Sequence, residues 1–126
     1  MKLDHLTIAV RSMTESGPYY AALLPLVGMR QQSPMIWTDD DGFFIQFIEA
    51  KPGTCDYERY GPGLNHAGFG TASLEDVVRV RDGMMQAGFA PPEIQNLGGA
   101  QALFMKDPDG LRFEITHYPP GVTVVG

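Results

Sequence analysis

The order of apolar and polar positions along the chain predicts short strands and two helices, and the pattern restarts near the middle. Residues 3–10, Leu-Asp-His-Leu-Thr-Ile-Ala-Val, read as a strand, with β-branched residues and a partly alternating pattern. Ser12-Met13-Thr14-Glu15 fits a capping box, in which a hydroxyl and a carboxylate satisfy the free amides at a helix start. Tyr20, Leu23, Leu24 and Val27 then recur at i, i+3, i+4 and i+7, the apolar stripe of a helix. Pro25 lies inside that stripe and predicts a kink or an end, and Gly28 closes the element. Residues 35–38 are short and extended, Asp39-Asp40-Asp41-Gly42 is a turn, and residues 43–50 form a strongly apolar strand.

Residues 51–63 carry Pro52, Gly53, Gly61, Pro62 and Gly63 among polar residues and read as a linker. After it the order begins again. Leu64-Asn65-His66 matches Leu3-Asp4-His5, Ser73 and Asp76 make a second helix cap, and Val77, Val80 and Met84 make a second stripe ended by Gly88. Residues 103–106 read as extended, Asp107-Pro108-Asp109-Gly110 as a turn, and residues 111–118 as the last long strand. Residues 39–48 lie over residues 107–116 without a gap. Two βαβββ modules of about sixty residues account for this self-similarity. The expected organisation is one α+β domain of residues 1–126, with module one at 1–50, the linker at 51–63, module two at 64–118 and a tail at 119–126.

Side chains alternate across a strand, so residues i and i+2 share a face. His5 and Thr7 face one way, and Leu6 and Ile8 the other. Phe43, Ile45 and Phe47 form an apolar face, with Gln46 on the opposite one. Leu111, Phe113 and Ile115 repeat that apolar face, while Arg112, Glu114 and Thr116 look the other way. The repeat therefore makes His5 equivalent to His66, and Gln46 equivalent to Glu114. Two imidazoles, a carboxylate and an amide oxygen at equivalent places suit Zn, Fe, Mn, Ni or Co, with coordination positions left for water or substrate. Taken singly, a strand His is more often a structural hydrogen-bonding residue and a lone Glu more often a solvated one; the repeat-related set favours a metal. By the same alignment Trp37 and Met105 face the helix layer, and Ile36 and Phe104 face the cavity as an apolar wall.

Composition narrows the class of protein. The chain has 126 residues, 44% hydrophobic and 19% charged, which fits one globular domain. Nine basic against fifteen acidic residues give a net charge of −6, so nucleic acid and anionic membrane surfaces are not expected partners. No apolar run approaches the ~20 residues of a spanning helix. With no apolar leader at the amino terminus and a single cysteine, Cys55, the expected location is the cytoplasm.

His-Leu-Thr-Ile-Ala-Val at the start, Leu-Asn-His-Ala-Gly-Phe in the middle and Lys-Asp-Pro-Asp-Gly-Leu-Arg-Phe-Glu-Ile near the end resemble the vicinal oxygen chelate superfamily. This is the group of glyoxalase I, fosfomycin- and bleomycin-resistance proteins and extradiol dioxygenases. The resemblance covers nearly the whole chain and implies paired βαβββ modules whose curled sheets enclose a divalent metal that chelates adjacent substrate oxygens. His5, His66 and Glu114 match the recurrent ligands, and Gln46 stands where glyoxalase I members carry a fourth, usually Glu.

Three readings follow. In a glyoxalase I-like lyase or isomerase, Glu114 also moves the proton. Arg30, Arg59 and Arg112 are nearby cations, but they form no recognisable glutathione-binding set. An extradiol-type dioxygenase would hold iron on the His5, His66, Glu114 triad, although such proteins are about twice as long. A metal-free bleomycin-resistance-like module would suit an acidic chain but does not need these ligands. A fosfomycin-type transferase is disfavoured by Ala102 and Gly99, where polar contacts would be expected. Thr7, Ile36, Phe104 and Arg112 are the expected contacts to a small-molecule substrate.

Other residues read as structural. Solvent exposure is the default for Glu49 and His117, and the Asp39–Asp41 cluster is a turn rather than a calcium site. Cys55 has no sequence neighbour that would activate it, and Met84 and Met85 are core and its edge. Tyr57 and Tyr60 either reach over the pocket or cover the core. Open four-stranded sheets have edges to cover, and residues 121–125, Gly-Val-Thr-Val-Val, are β-prone. The resemblance implies a homodimer, with His5 and Gln46 from one chain meeting His66 and Glu114 from the other.

Overall fold

In the computed structural model, which describes residues 1–122, the chain forms two compact units that divide between Asp56 and Tyr57, inside the expected linker. Each unit is a βαβββ module with one helix and one open four-stranded mixed sheet, as the sequence predicts. Unit one contains β1 (His5–Val10), α1 (Met13–Leu26), β2 (Arg30–Ser33), β3 (Ile36–Thr38) and β4 (Phe44–Glu49), in the sheet order β1-β4-β3-β2. Unit two contains β5 (His66–Thr71), α2 (Leu74–Gln86), β6 (Gln95–Leu97), β7 (Ala100–Lys106) and β8 (Arg112–His117), in the order β5-β8-β7-β6. Among the described residues no helix is long and apolar enough to cross a membrane. The β-prone end of the tail, from Thr123 on, lies outside the described residues.

The same local chemistry builds both modules. Ser12 and Ser73 have extended backbones, and their hydroxyls accept from the amides of Glu15 and Asp76, satisfying a free donor at each helix start. At α1 the reciprocal carboxylate is Glu49, not Glu15: its Oε1 accepts from Met13 N at 3.0 Å. Glu49 is exposed as expected, yet it ties the end of β4 to the start of the helix. α1 ends at Leu26, one residue past Pro25, and Gly28 follows at φ 87°.

Ile45 and Phe47 of β4 are buried, as are Tyr20, Leu23 and Leu24 of α1, and the Tyr20 and Phe47 rings lie 4.4 Å apart. In unit two, Phe113 and Ile115 are buried, as are Val77, Val80 and Met84 of α2. Full burial of such side chains contributes roughly 2 kcal/mol each before entropy is counted. Trp37 and Met105 both lie in the core, as the repeat alignment requires.

The two turns are also copies. Asp39 Oδ1 accepts from the amides of Asp41 and Phe43, and Asp107 Oδ1 from those of Asp109 and Leu111, all at 2.9 Å. Gly42 and Gly110 close these turns at φ of 89° and 96°, a region that other residues adopt only with strain. The turns set the hairpin registers, with Thr38 opposite Phe44 and Lys106 opposite Arg112. Beyond the hairpins, β4 runs parallel to β1 with Phe44 opposite His5, and β8 parallel to β5 with Arg112 opposite His66. One difference from expectation lies at the last strand. His117 is half-buried, with Nδ1 3.4 Å from Thr71 O, because β5 runs alongside it.

Candidate metal centre

In unit one, Gln46 lies opposite Thr7 and next to Ile36, one pleat along the same face from His5. His5 Nδ1 is 2.7 Å from Asp4 Oδ2, and its ring stacks on Phe44 with centroids 4.6 Å apart and planes 8° from parallel. A carboxylate oxygen accepts here, so Nδ1 carries a proton and Nε2 is the nitrogen left to meet a ligand or metal.

Unit two repeats the device with an amide. His66 Nδ1 is 2.7 Å from Asn65 Oδ1, and Asn65 Nδ2 donates to Arg59 O at 3.0 Å. That second bond fixes which end of the amide faces His66, so Nδ1 again donates and Nε2 points to the other partner. Tyr57 Oη lies 2.7 Å from Leu64 O and 2.9 Å from Asn65 O, holding the backbone just before His66. Tyr57 therefore neither lids a pocket nor covers core, whereas Tyr60 is exposed beneath the Arg59 guanidinium.

His66 Nε2 stands 3.1 Å from Glu114 Oε2, and Thr116 Oγ1 donates to Glu114 Oε1. Glu114 is one pleat along from Arg112 on β8, beside Gly68 of β5 and Phe104 of β7. Its carboxylate is largely covered, 16% exposed against 41% for His66, and Thr116 is buried. With Nδ1 already donating, Nε2 and Oε2 are two acceptors at contact distance. They can coexist only with a proton or a cation between them. Two donors each about 2.1 Å from one ion are about 3 Å apart, so the pair has the bite of two ligands on one metal.

Among the described residues no three His, Cys, Asp or Glu side chains gather to hold a metal ion. Of the four predicted ligands, His66 and Glu114 meet in unit two, while His5 and Gln46 share a face of the unit-one sheet one pleat apart. Within each pair the donor chemistry fits a divalent ion, and in both modules the residue before the His holds its other nitrogen. Of the expected substrate contacts, Thr7 is exposed beside His5 and Ile36 is half-buried beside Gln46. Phe104 is half-buried beside Glu114, with its ring edge-on to His66, and Arg112 adjoins His66. Of the other cations weighed, Arg30 pairs with Asp40, and Arg59 lies over Tyr60.

Asp4, Asn65, Tyr57 and Thr116 were not singled out as site residues; the signal was the polar residue before each repeated His. Asn65→Leu should free His66 to take either tautomer. The imidazole nitrogen shifts of the metal-free chain would show this by NMR, and metal affinity should fall ten- to a hundredfold. Unchanged nitrogen shifts would show that Asn65 does not set the tautomer.

No protein-family model matches the chain, and no curated protein matches its sequence. Solved structures do match. A glyoxylase/bleomycin resistance protein/dioxygenase domain from Frankia sp. EAN1pec superposes with a TM-score of 0.78 over 96% of this chain and 94% of that one, at 22% identity. A glyoxalase/dioxygenase from Nostoc punctiforme has a TM-score of 0.72 over 94% and 91%, at 17% identity. The fosfomycin resistance protein FosX from Listeria monocytogenes has a TM-score of 0.69 over 98% of both chains, at 15% identity. These neighbours are vicinal oxygen chelate proteins, and this chain has their fold.

Proposed function

We propose that this chain is a cytoplasmic, metal-dependent enzyme acting on a small molecule, most like the glyoxalase I type of lyase or isomerase. His5, Gln46, His66 and Glu114 are its ligands for one divalent ion. The observation that supports this most is the pair of imidazoles anchored through Nδ1, one of them with Nε2 3.1 Å from a carboxylate oxygen, the spacing of two ligands on one ion. A divalent ion held there would supply Lewis-acid polarisation of substrate oxygens. Among the described residues Glu114 is the only carboxylate on its face of the unit-two strands, so it also carries any proton transfer between substrate atoms. Phe104 and Ile36 supply apolar walls, and Thr7 a hydroxyl.

The test is metal uptake by the full chain purified without chelator. We expect about one equivalent of Zn, Ni, Mn, Co or Fe at neutral pH, with affinity falling on acidification because protons compete for the imidazoles. No uptake would leave the metal-free ligand-binding reading in its place. Dioxygen consumption with the iron-loaded chain and a catechol would replace the isomerase by an extradiol-type dioxygenase, which two His and one carboxylate also suit.

The sharing of ligands is part of this proposal: a homodimer, each ion taking His5 and Gln46 from one chain and His66 and Glu114 from its partner. A His5→Ala chain and a Glu114→Ala chain, each unable to bind, should regain binding when unfolded and refolded together, because the mixed dimer restores one intact site. A monomer by sedimentation, or no recovery, overturns the sharing.

A further inference from the structure

In unit two the face opposite the helix carries three residues that packing does not explain. Across the first pleat of that face the register sets His66, Arg112 and Lys106 side by side on β5, β8 and β7. Arg112 and Lys106 are directly opposed like charges, an arrangement that destabilises a strand pair and that an anion held by both would relieve. The chain has fifteen acidic residues, yet among the described residues neither side chain makes an ion pair or a hydrogen bond. The equivalent positions of unit one are Phe44 and Thr38, which carry no charge. The cation pair therefore belongs to module two and is not required by the fold.

The second observation is independent of charge. Beyond His66 on the same face of β5 come Gly68 and Gly70, where β1 of unit one has Thr7 and Ala9. Glycine inside a strand weakens it, and is normally explained by a positive φ or by close backbone approach. Neither glycine has a positive φ, and a Cβ built at either would meet no heavy atom within 4 Å. They leave the strip beside Glu114 and Thr116 bare.

From the cation pair and the bare strip together, we propose that module two binds an oxyanion, a carboxylate or phosphonate carried by the substrate. Arg112 and Lys106 take the anionic group, and the rest of the molecule lies over Gly68 and Gly70 beside Glu114. Arg112 supplies a planar fork for two oxygens and Lys106 a mobile point charge. The inference deepens the proposed function, since it names the substrate class of that site. It does not need the metal, because neither Arg112 nor Lys106 is one of the proposed ligands.

The test titrates the full chain, metal-free and metal-loaded, with pyruvate and with methylphosphonate, and with their neutral methyl esters. Binding is read from the amide shifts of Gly68 and Gly70. The anions should shift both amides in either state, and the esters at least tenfold more weakly. Arg112→Gln and Lys106→Gln should each weaken the anions roughly tenfold and leave the esters unchanged. Gly68→Val should raise the melting temperature, because valine favours strands, while it weakens the anions. Which anion binds more tightly tells carboxylate from phosphonate, and either supports the inference. Equal binding of anions and esters overturns it, even if metal is taken up. Anion binding that depends on Arg112 in a chain that takes up no metal would overturn the metal reading and leave this one standing.

Discussion

Glu114→Gln should lower divalent-metal affinity at least a hundredfold, beyond the ten- to hundredfold typical of losing a supporting contact. The substitution keeps the shape of the side chain and removes one charge. It also changes what His66 faces: a glutamine amide can donate to Nε2, so the 3.1 Å contact no longer needs a shared proton or cation. The metal-free variant should therefore melt no lower than the parent, which separates loss of a ligand from loss of the fold. Thr116→Val removes the hydroxyl that holds Glu114 Oε1 and keeps the buried volume, and should cost about tenfold. Gln46→Glu should act in the opposite sense, adding a second carboxylate and tightening binding. Calorimetric titration with zinc measures all three. If Glu114→Gln binds zinc like the parent chain, Glu114 is not a ligand.

How much of this was legible in the sequence follows from where the information lies. The helices, their serine caps, both aspartate turns and the long strands were readable because each has a local cause: a period, a hydroxyl, a positive-φ glycine. β2 and β6 were not. Arg-Gln-Gln-Ser and Gln-Asn-Leu are edge strands, largely exposed, with no buried face to impose a period on their residues. The upstream limit of β7 was missed for a related reason, since Ala100 to Ala102 have small or polar side chains and little pattern. Side-chain parity placed Gln46 and Glu114 correctly, because alternation needs only a strand and its register. Lys106 was invisible as a partner of Arg112: their opposition is a property of hairpin pairing, and the Asp107 turn fixes it. Asn65 was likewise hidden until its bond to Arg59 O showed which way the amide points.

That turn carries the second large effect. Asp107→Ala should destabilise the chain by about 3 kcal/mol, a drop in melting temperature of roughly ten degrees. Asp107 is 4% exposed and accepts at Oδ1 from two backbone amides, those of Asp109 and Leu111. Without it two donors at a covered turn lose their acceptor, at about 1–3 kcal/mol each, against a total stability of about 5–15 kcal/mol. Unit one contains its own control. Asp39 makes the same two bonds but is half-buried, so water can replace part of what Asp39→Ala removes, and about 1–2 kcal/mol is expected. Asp107→Asn keeps an acceptor oxygen and should fall between Asp107→Ala and the parent. Thermal unfolding of the three variants gives the order directly. Equal losses at the two turns would show that burial does not set the cost. A silent Asp107→Ala would show that the β7–β8 hairpin, and with it the placement of Glu114 between Gly68 and Phe104, is held by something other than this carboxylate.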